Sequence, residues 1–246
     1  MEIKICIPSK NRPDTKTYKI FQDLGYEVFM FLELQDFDKY QVDCKKINIG
    51  EDDQGISFVR SFILDYSKEN KFDWICMCDD DISTFGKAIQ TEKGLRNKRD
   101  NKYIKEAFEK TLKFKNTIFG INYSQYSWNS SNIKSINTTT VEVCIWFKPQ
   151  EIKARYNSEV NLKEDRDFII QNKRNGLNIV KLNRYYHNSP DIGKRLGGLY
   201  DEYKAKTDEE SAKKMFLKWG SDIITLKRNS QNNIDIKINW DNLCKY

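Results

Sequence analysis

No apolar run in this 246-residue chain approaches the roughly 18 residues that a membrane helix needs. The sequence also shows no internal repeat, no low-complexity tract and no convincing linker, so a solenoid, a disordered tail and a string of domains are all disfavoured. Its opening, "MEIKICIPSK", reads as a strand. It lacks the charged, apolar, then small pattern of a secretion signal, which points to the cytoplasm and away from any membrane partner. Six cysteines are scattered, with only Cys76 and Cys78 close together on alternating strand positions, so they are expected as free thiols rather than as a disulfide framework or a thiolate zinc site. Histidine occurs once, at position 187.

What is present is a globular composition, 39% hydrophobic and 13% aromatic, enough for one substantial core in a single domain over residues 1–246. The excess of 42 basic over 36 acidic residues leaves +6, which permits a polyanionic partner without demanding one. Strand-like and helix-like segments alternate over the first 82 residues: "EIKICIP", "DTKTYKIFQDLG", "YEVFMFLEL", "KINIG", "ISFVRSFILDYSKEN" and "WICMC". That order predicts a parallel sheet with crossover helices, and the continuous apolar run of "WICMC" places it centrally. The second half reads as more antiparallel. It has a helix "NKYIKEAFEKTLKF", strands near "TIFGIN" and "TTTVEVCIWF", a helix "LKEDRDFIIQNKRNG", a strand "LNIVKLNRYYHN", a loop "SPDIGKRLGG", a charged helix "LYDEYKAKTDEESAKKMFLKWG" and two last strands, "DIITLK" and "DIKINW".

The central strand runs straight into Asp79, Asp80 and Asp81. A carboxylate pair two residues apart at a strand end points to one side and can hold Mg²⁺ or Mn²⁺ through oxygen. A solvated strand end, or a capping cluster ahead of Ser83 and Thr84, would carry the same run. Three further stretches share that sheet edge or contribute chemistry. "CIPSKNRPDT" ends the first strand with Arg12, and "EDDQGISFVR" ends the third and carries Arg60 one turn into its helix, toward a phosphate position. "EDRDF" offers a carboxylate that can take a proton from an acceptor hydroxyl, although acids also gather at helix N-termini to oppose the dipole.

"IPSKNRP", "DDQGISFVRSFIL", "DDDI", "EDRDF" and "HNSPDIGKRLGG" occur in the order seen in the GT-A glycosyltransferases, and the chain most resembles the TET-associated glycosyltransferases of phages. The resemblance implies an α/β, Rossmann-like mixed sheet, with a nucleotide-sugar-binding half at 1–95 and an antiparallel acceptor-binding half at 96–246. It implies transfer of a hexose or pentose from a nucleotide-diphosphate sugar, a uridine diphosphate sugar first, to hydroxymethylated pyrimidine in DNA such as 5-hydroxymethylcytosine, in the host cytoplasm. Mapped onto this chain, it makes Asp79, Asp81 and His187 the ligands of Mn²⁺ or Mg²⁺. Pro8, Ser9, Lys10, Arg12, Asp53, Gln54, Gly55, Arg60, Asp79 and Asp80 would bind the nucleotide sugar, with Lys194, Arg195 and Gly197 at its diphosphate. Asp165 becomes the first choice as base, with Glu164 and Asp167 following. Lys98 and Arg99, with Tyr126 and Trp128, would meet the DNA. A glycan or protein acceptor, and an inactive binding module of the same fold, are the alternatives. A sugar-nucleotide pyrophosphorylase is disfavoured because "PSKNRP" has no glycine.

Overall fold

In the computed structural model, described here for residues 2–129, 132–190, 196–198, 200, 207–228 and 233–243, the first half follows the alternation expected. Strand β1 (Ile3–Ser9), helix α1 (Thr17–Asp23), strand β2 (Val28–Leu32), a short helix α2 (Leu34–Phe37), strand β3 (Lys45–Asn48), helix α3 (Ile56–Glu69) and strand β4 (Trp74–Cys78) come in that order. β1 pairs in parallel with β2 on one side and β4 on the other. Alternation sorts their side chains. Ile5, Met30 and Trp74 enter one buried layer under Phe21 and Phe108, while Phe31, Ile75 and Met77 enter the other under Val59, Ile63 and Phe168.

Two strands that the sequence reading passed over follow at once. Strand β5 (Thr84–Thr91) and strand β6 (Gly94–Arg99) form an antiparallel hairpin. The expected division at residue 95/96 falls inside β6. Helix α4 (Lys102–Thr111), strand β7 (Thr117–Tyr123), helix α5 (Ser124–Ser127), a two-residue strand β8 (Ser135–Ile136) and strand β9 (Cys144–Phe147) come next. Helix α6 (Glu164–Arg174) and strand β10 (Asn178–Asn188) complete one ten-stranded sheet in the order β3-β2-β1-β4-β9-β7-β10-β5-β6, with β8 on β10.

The second half is mixed rather than antiparallel throughout. β10 runs parallel to β7, and β9 antiparallel to it, so the connection from β7 to β10 is a long one that passes through β9 and α6. The strand expected over "TTTVEVCIWF" is cut short at Val143, which adopts φ 64° while the Cys144 N–H donates to the Glu142 carbonyl at 2.6 Å. That is a γ-turn at a β-branched residue, a strained conformation.

After residue 206, helix α7 (Thr207–Trp219), strands β11 (Ile224–Arg228) and β12 (Ile234–Ile238) and a last turn α8 (Trp240–Leu243) form a separate hairpin module. It has a small core of its own, in which Ala212, Met215, Ile224 and Ile236 close over Val160 and Ile170. No helix among the described residues is long and apolar enough to cross a membrane. Five described cysteines are free thiols.

Candidate active site at the carboxyl edge of the sheet

β1 and β4 are neighbours in register, with Cys6 opposite Met77. Their carboxyl ends therefore open side by side, and the loop after β1 lies against the three aspartates. Asp80 turns inward, 4% exposed. Ser9 Oγ and Arg12 Nη1 donate to its two carboxylate oxygens, the arginine at 2.6 Å, and the Thr15 hydroxyl donates to its carbonyl. Burial pushes the Asp80 carboxyl up, and the Arg12 charge opposes that rise. Arg12 Nη1 also donates to Asp81 Oδ2 at 3.1 Å. Its remaining donors hold the carbonyls of Leu196 and Gly197, each at 3.1 Å. Gly197, at φ 79°, lies so close to this loop that a Cβ there would sit 2.8 Å from the Asn11 carbonyl. Arg12 thus ties three chain segments together around two carboxylates.

Asp79 is answered by a second arginine. Arg60, from the second turn of α3, donates to Asp79 Oδ1 at 3.0 Å and to Glu164 Oε1 at 2.8 Å. Its guanidinium lies 5.7 Å from the Tyr156 ring centre. The crowded aspartates are tolerated because one guanidinium serves Asp80 and Asp81 while another serves Asp79. Sequence reasoning aimed Arg60 at a phosphate; in the structure both its terminal nitrogens are committed to carboxylates.

These groups line a cavity of about 210 Å³, together with Pro8, Lys10, Glu33, Gly55, Glu142 and Asp165. Lys10 bridges the buried Glu33 and the exposed Asp53, at 3.1 and 2.6 Å. Of the "DDQG" residues, Gly55 lines the cavity, whereas Asp53 and Gln54 are not among its lining residues. Gly197 backs the cavity through Arg12, and its neighbour Gly198 lines it. Lys194 and Arg195 lie outside the described residues.

The first turn of α6 brings Glu164 and Asp165 to the cavity wall. Burial, with the neighbouring Asp165 charge, pushes Glu164 up to about 8 against the pull of Arg60. Burial, with the Glu142 charge, pushes Asp165 up to about 6. Burial raises both adjacent carboxyls, Glu164 the further, so near neutral pH the pair keeps a proton and leaves one carboxylate able to accept another.

Asp167 does not join them. It is fully buried on another side of α6, where Gln171 Nε2, Lys218 Nζ and Trp219 Nε1 donate to its oxygens at 2.7, 2.8 and 2.7 Å. The sequence put it beside Asp165, but a two-residue step on a helix turns the side chain through about 200°.

His187 is also displaced from its expected place. It sits within β10 opposite Phe85, 1% exposed, with its ring centre 4.6 Å from that of Tyr123. Burial, with the Lys181 charge, pushes it down to about 3, so the ring is neutral. It is not among the cavity-lining residues, and the described residues contain no group of three His, Cys, Asp or Glu side chains placed to hold a metal ion.

Asp79 and Asp81 by themselves nonetheless fit an oxygen-seeking divalent cation. Both line the cavity, with side chains 32% and 17% exposed. Mg²⁺ in particular takes one or two carboxylates and fills its other positions with substrate phosphate and water. Sequence reasoning missed Glu33 and Glu142, which a strand end and a γ-turn bring to the wall. The glutamate of "VEVC" is the only signal for the latter, and it is indistinguishable from a strand residue until the turn at Val143 is seen.

No curated protein matches the sequence. Among solved structures, A197 from STIV matches with 12% identity over 80% of this chain and 89% of that one, at a TM-score of 0.42. The mannose-1-phosphate geranyltransferase from Thermus thermophilus matches with 9% identity over 76% of each chain, at a TM-score of 0.45. A family model described as TET-Associated Glycosyltransferase matches residues 3–198. That span holds every residue of the cavity wall except Tyr200, including both arginines and the carboxylates they serve. A glycosyltransferase needs such a walled, charge-compensated pocket, and this chain belongs to the TET-associated glycosyltransferase family.

Proposed function

We propose that the chain transfers a sugar from a nucleotide-diphosphate donor, a uridine diphosphate sugar first, to the hydroxyl of hydroxymethylated pyrimidine in DNA. The observation that carries the acceptor is an aromatic and basic track leading away from the cavity. Tyr123 lines the cavity, and its ring centre is 6.3 Å from that of Tyr126 on α5. Tyr126 is 58% and Trp128 49% exposed. Asn97 of β6 ties this turn to the hairpin, donating to the Ser124 carbonyl at 2.8 Å and accepting from Ser127 Oγ at 2.9 Å. Arg96, Lys98 and Arg99 stand exposed on the same strand. Cations neutralise backbone phosphates, and exposed aromatic rings stack on an extruded base.

Asp79 and Asp81 would hold Mg²⁺ or Mn²⁺, which when bound neutralises charge growing on the departing diphosphate. Asp165 takes the acceptor's hydroxyl proton as the oxygen bonds to the anomeric carbon and the bond from that carbon to the diphosphate oxygen breaks. Glu142 and Glu164 line the same wall. A proton kept by the Glu164–Asp165 pair limits the negative charge gathered at this wall.

The test is mass spectrometry of nucleosides after incubating hydroxymethylated and unmodified DNA with a panel of nucleotide sugars and either cation. A hexosyl or pentosyl adduct on the hydroxymethylated base alone supports the reading. Transfer to a glycan or peptide with the modified DNA untouched overturns the acceptor while leaving the donor site standing.

A further inference from the structure

The residues after the family match, from 199 onward, include a module with its own core, and its polar contacts converge on the first turn of α6. That turn is not positioned by helix geometry alone. It follows a 3-10 segment, Ser158–Lys163, which is kinked at Val160. Lys163 itself is non-helical at φ −135° and ψ 17°, and it gives the helix no side-chain cap. An uncapped junction between two helix types leaves orphan N–H groups and a soft entry angle.

The two cations that bracket Glu164 and Asp165 in sequence, Lys163 and Arg166, meet on a single carboxylate in the module. Asp235 Oδ1 receives Arg166 Nη1 at 2.9 Å and Lys163 Nζ at 3.2 Å. Lys163, only 7% exposed, also pairs with Asp208 of α7 at 2.6 Å. Arg166 reaches the cavity-lining Glu142 at 3.4 Å, and its backbone N–H donates to Asp165 Oδ1 at 2.7 Å. On the far side of the turn, Lys218 and Trp219 of α7 hold Asp167. A buried lysine and a half-buried arginine sharing one acceptor make a stiff, directional tie.

We infer that the C-terminal module, through Asp235, sets the position of Asp165 in the catalytic wall, making Asp235 a positioning residue for the transfer. This rests on the reading of Asp165 as base. Asp235 lies on β12, away from the cavity lining, so its effect reaches substrate through Arg166 and Lys163. Misplacement of a reacting group by about 1 Å costs up to about a hundredfold in rate without altering how donor binds.

The experiment compares full-length wild type, Asp165→Asn, Asp235→Asn, Asp235→Glu and Lys218→Met in steady-state transfer to hydroxymethylated DNA from the nucleotide sugar that the mass-spectrometric test selects, alongside thermal melts. Asp235→Asn is expected to lose about tenfold or more in kcat with donor KM within twofold, and Asp235→Glu, which restores the charge, to recover most of that loss. A folded Asp235→Asn with wild-type kcat overturns the inference, as does an equal loss in the Glu variant, which would mark mere destabilisation. Should Asp235→Asn fail to fold, Lys218→Met decides, since it loosens the same turn from α7. An unchanged kcat there refutes the module's role, and a kcat loss at constant KM supports it. If Asp165→Asn retains full activity, the base reading itself has failed, and that outcome is separate from failure of the tie.

Discussion

Replacing Glu164 with Gln should stabilise the protein, and increasingly so as pH rises. The free side chain titrates near 4.5, whereas in the fold burial and the Asp165 charge push Glu164 to about 8. An acid whose folded value is raised binds its proton more tightly folded than unfolded, so it lowers stability progressively from about pH 4.5 to about pH 8. Each tenfold in proton affinity is worth about 1.4 kcal/mol, which caps the effect near 5 kcal/mol. That value already includes the pull of Arg60, 2.8 Å from Oε1, and because relaxation and water entry soften the cost of a buried charge in a real fold, we expect a net gain of about 2 kcal/mol. An amide at this position keeps an acceptor for Arg60 and never ionises. The difference in Tm between Glu164→Gln and wild type should therefore be near zero at pH 4.5, widen through pH 6 and 7, and level off above pH 8 at about 4 to 8 °C, given about 2–4 °C per kcal/mol for a chain of this size. Melts by circular dichroism without divalent cation or donor measure it. A variant less stable than wild type at pH 8 would refute the reasoning, because it would mean that the folded protein keeps Glu164 ionised for Arg60.

Asp165→Asn should lower kcat by about 10²- to 10⁴-fold while calorimetry shows donor affinity unchanged; parallel loss of both would return Asp165 to a binding role. Arg12→Gln removes the cation shared by Asp80, Asp81 and the Leu196 and Gly197 carbonyls, so it should cost about 3–5 kcal/mol, read as a lower denaturant midpoint, and added Mg²⁺ should recover more stability in the variant than in wild type. His187→Asn should leave the metal activation curve in place, since the ring is buried under Tyr123; a weakened curve would restore the ligand assignment. With Lys98 and Arg99 both changed to Ala, binding of hydroxymethylated DNA should show a log K against log salt slope shallower by about 2, and an unchanged slope would move DNA off β6.

What could be read from the sequence was what local pattern determines. The apolar runs and alternation at β1, β2 and β4 placed the carboxylates at the correct sheet edge, and Gly25 and Gly176, at φ 85° and 86°, ended helices where their conformation suggests. The hairpin of β5 and β6 was missed because "GLRNKR" carries its charges on an edge strand exposed to solvent, where alternation of apolar residues has no work to do. Asp167 and His187 were misplaced for a different reason. A motif lists neighbours along the chain, but on α6 the side chains fan out, and on β10 His187, inside the strand that the sequence indicates, is its last buried position, packed on Tyr123 and not among the cavity-lining residues. Arg60 was found in the right place with the wrong partners, since no pattern in one segment announces that Asp79 and Glu164, 85 residues apart in sequence, will share it.

The arginines also set terms for whatever enters the cavity. Three aspartates, Glu142, Glu164 and Asp165 line or back one small cavity, and in a low-dielectric setting their mutual repulsion would exceed the stability of most domains if all were ionised without countercharge. Arg12 and Arg60 remove much of it, and the proton kept by the Glu164–Asp165 pair removes more. A cation approaching Asp79 and Asp81 must therefore compete with guanidinium groups already 3.0 and 3.1 Å from their oxygens. It can do so most easily when it arrives with a diphosphate, because the phosphate oxygens then offer the displaced guanidinium charge a new partner at the moment the carboxylates turn to the metal. On that argument donor and cation bind with positive coupling, each weak without the other. Calorimetric titration of nucleoside diphosphate with and without Mg²⁺ should show it as a tighter Kd in the presence of the metal by about tenfold or more, the range expected for coupling of about 1–3 kcal/mol. Equal affinity in both conditions would mean that the arginines stay on their aspartates throughout and that the diphosphate binds elsewhere along the wall.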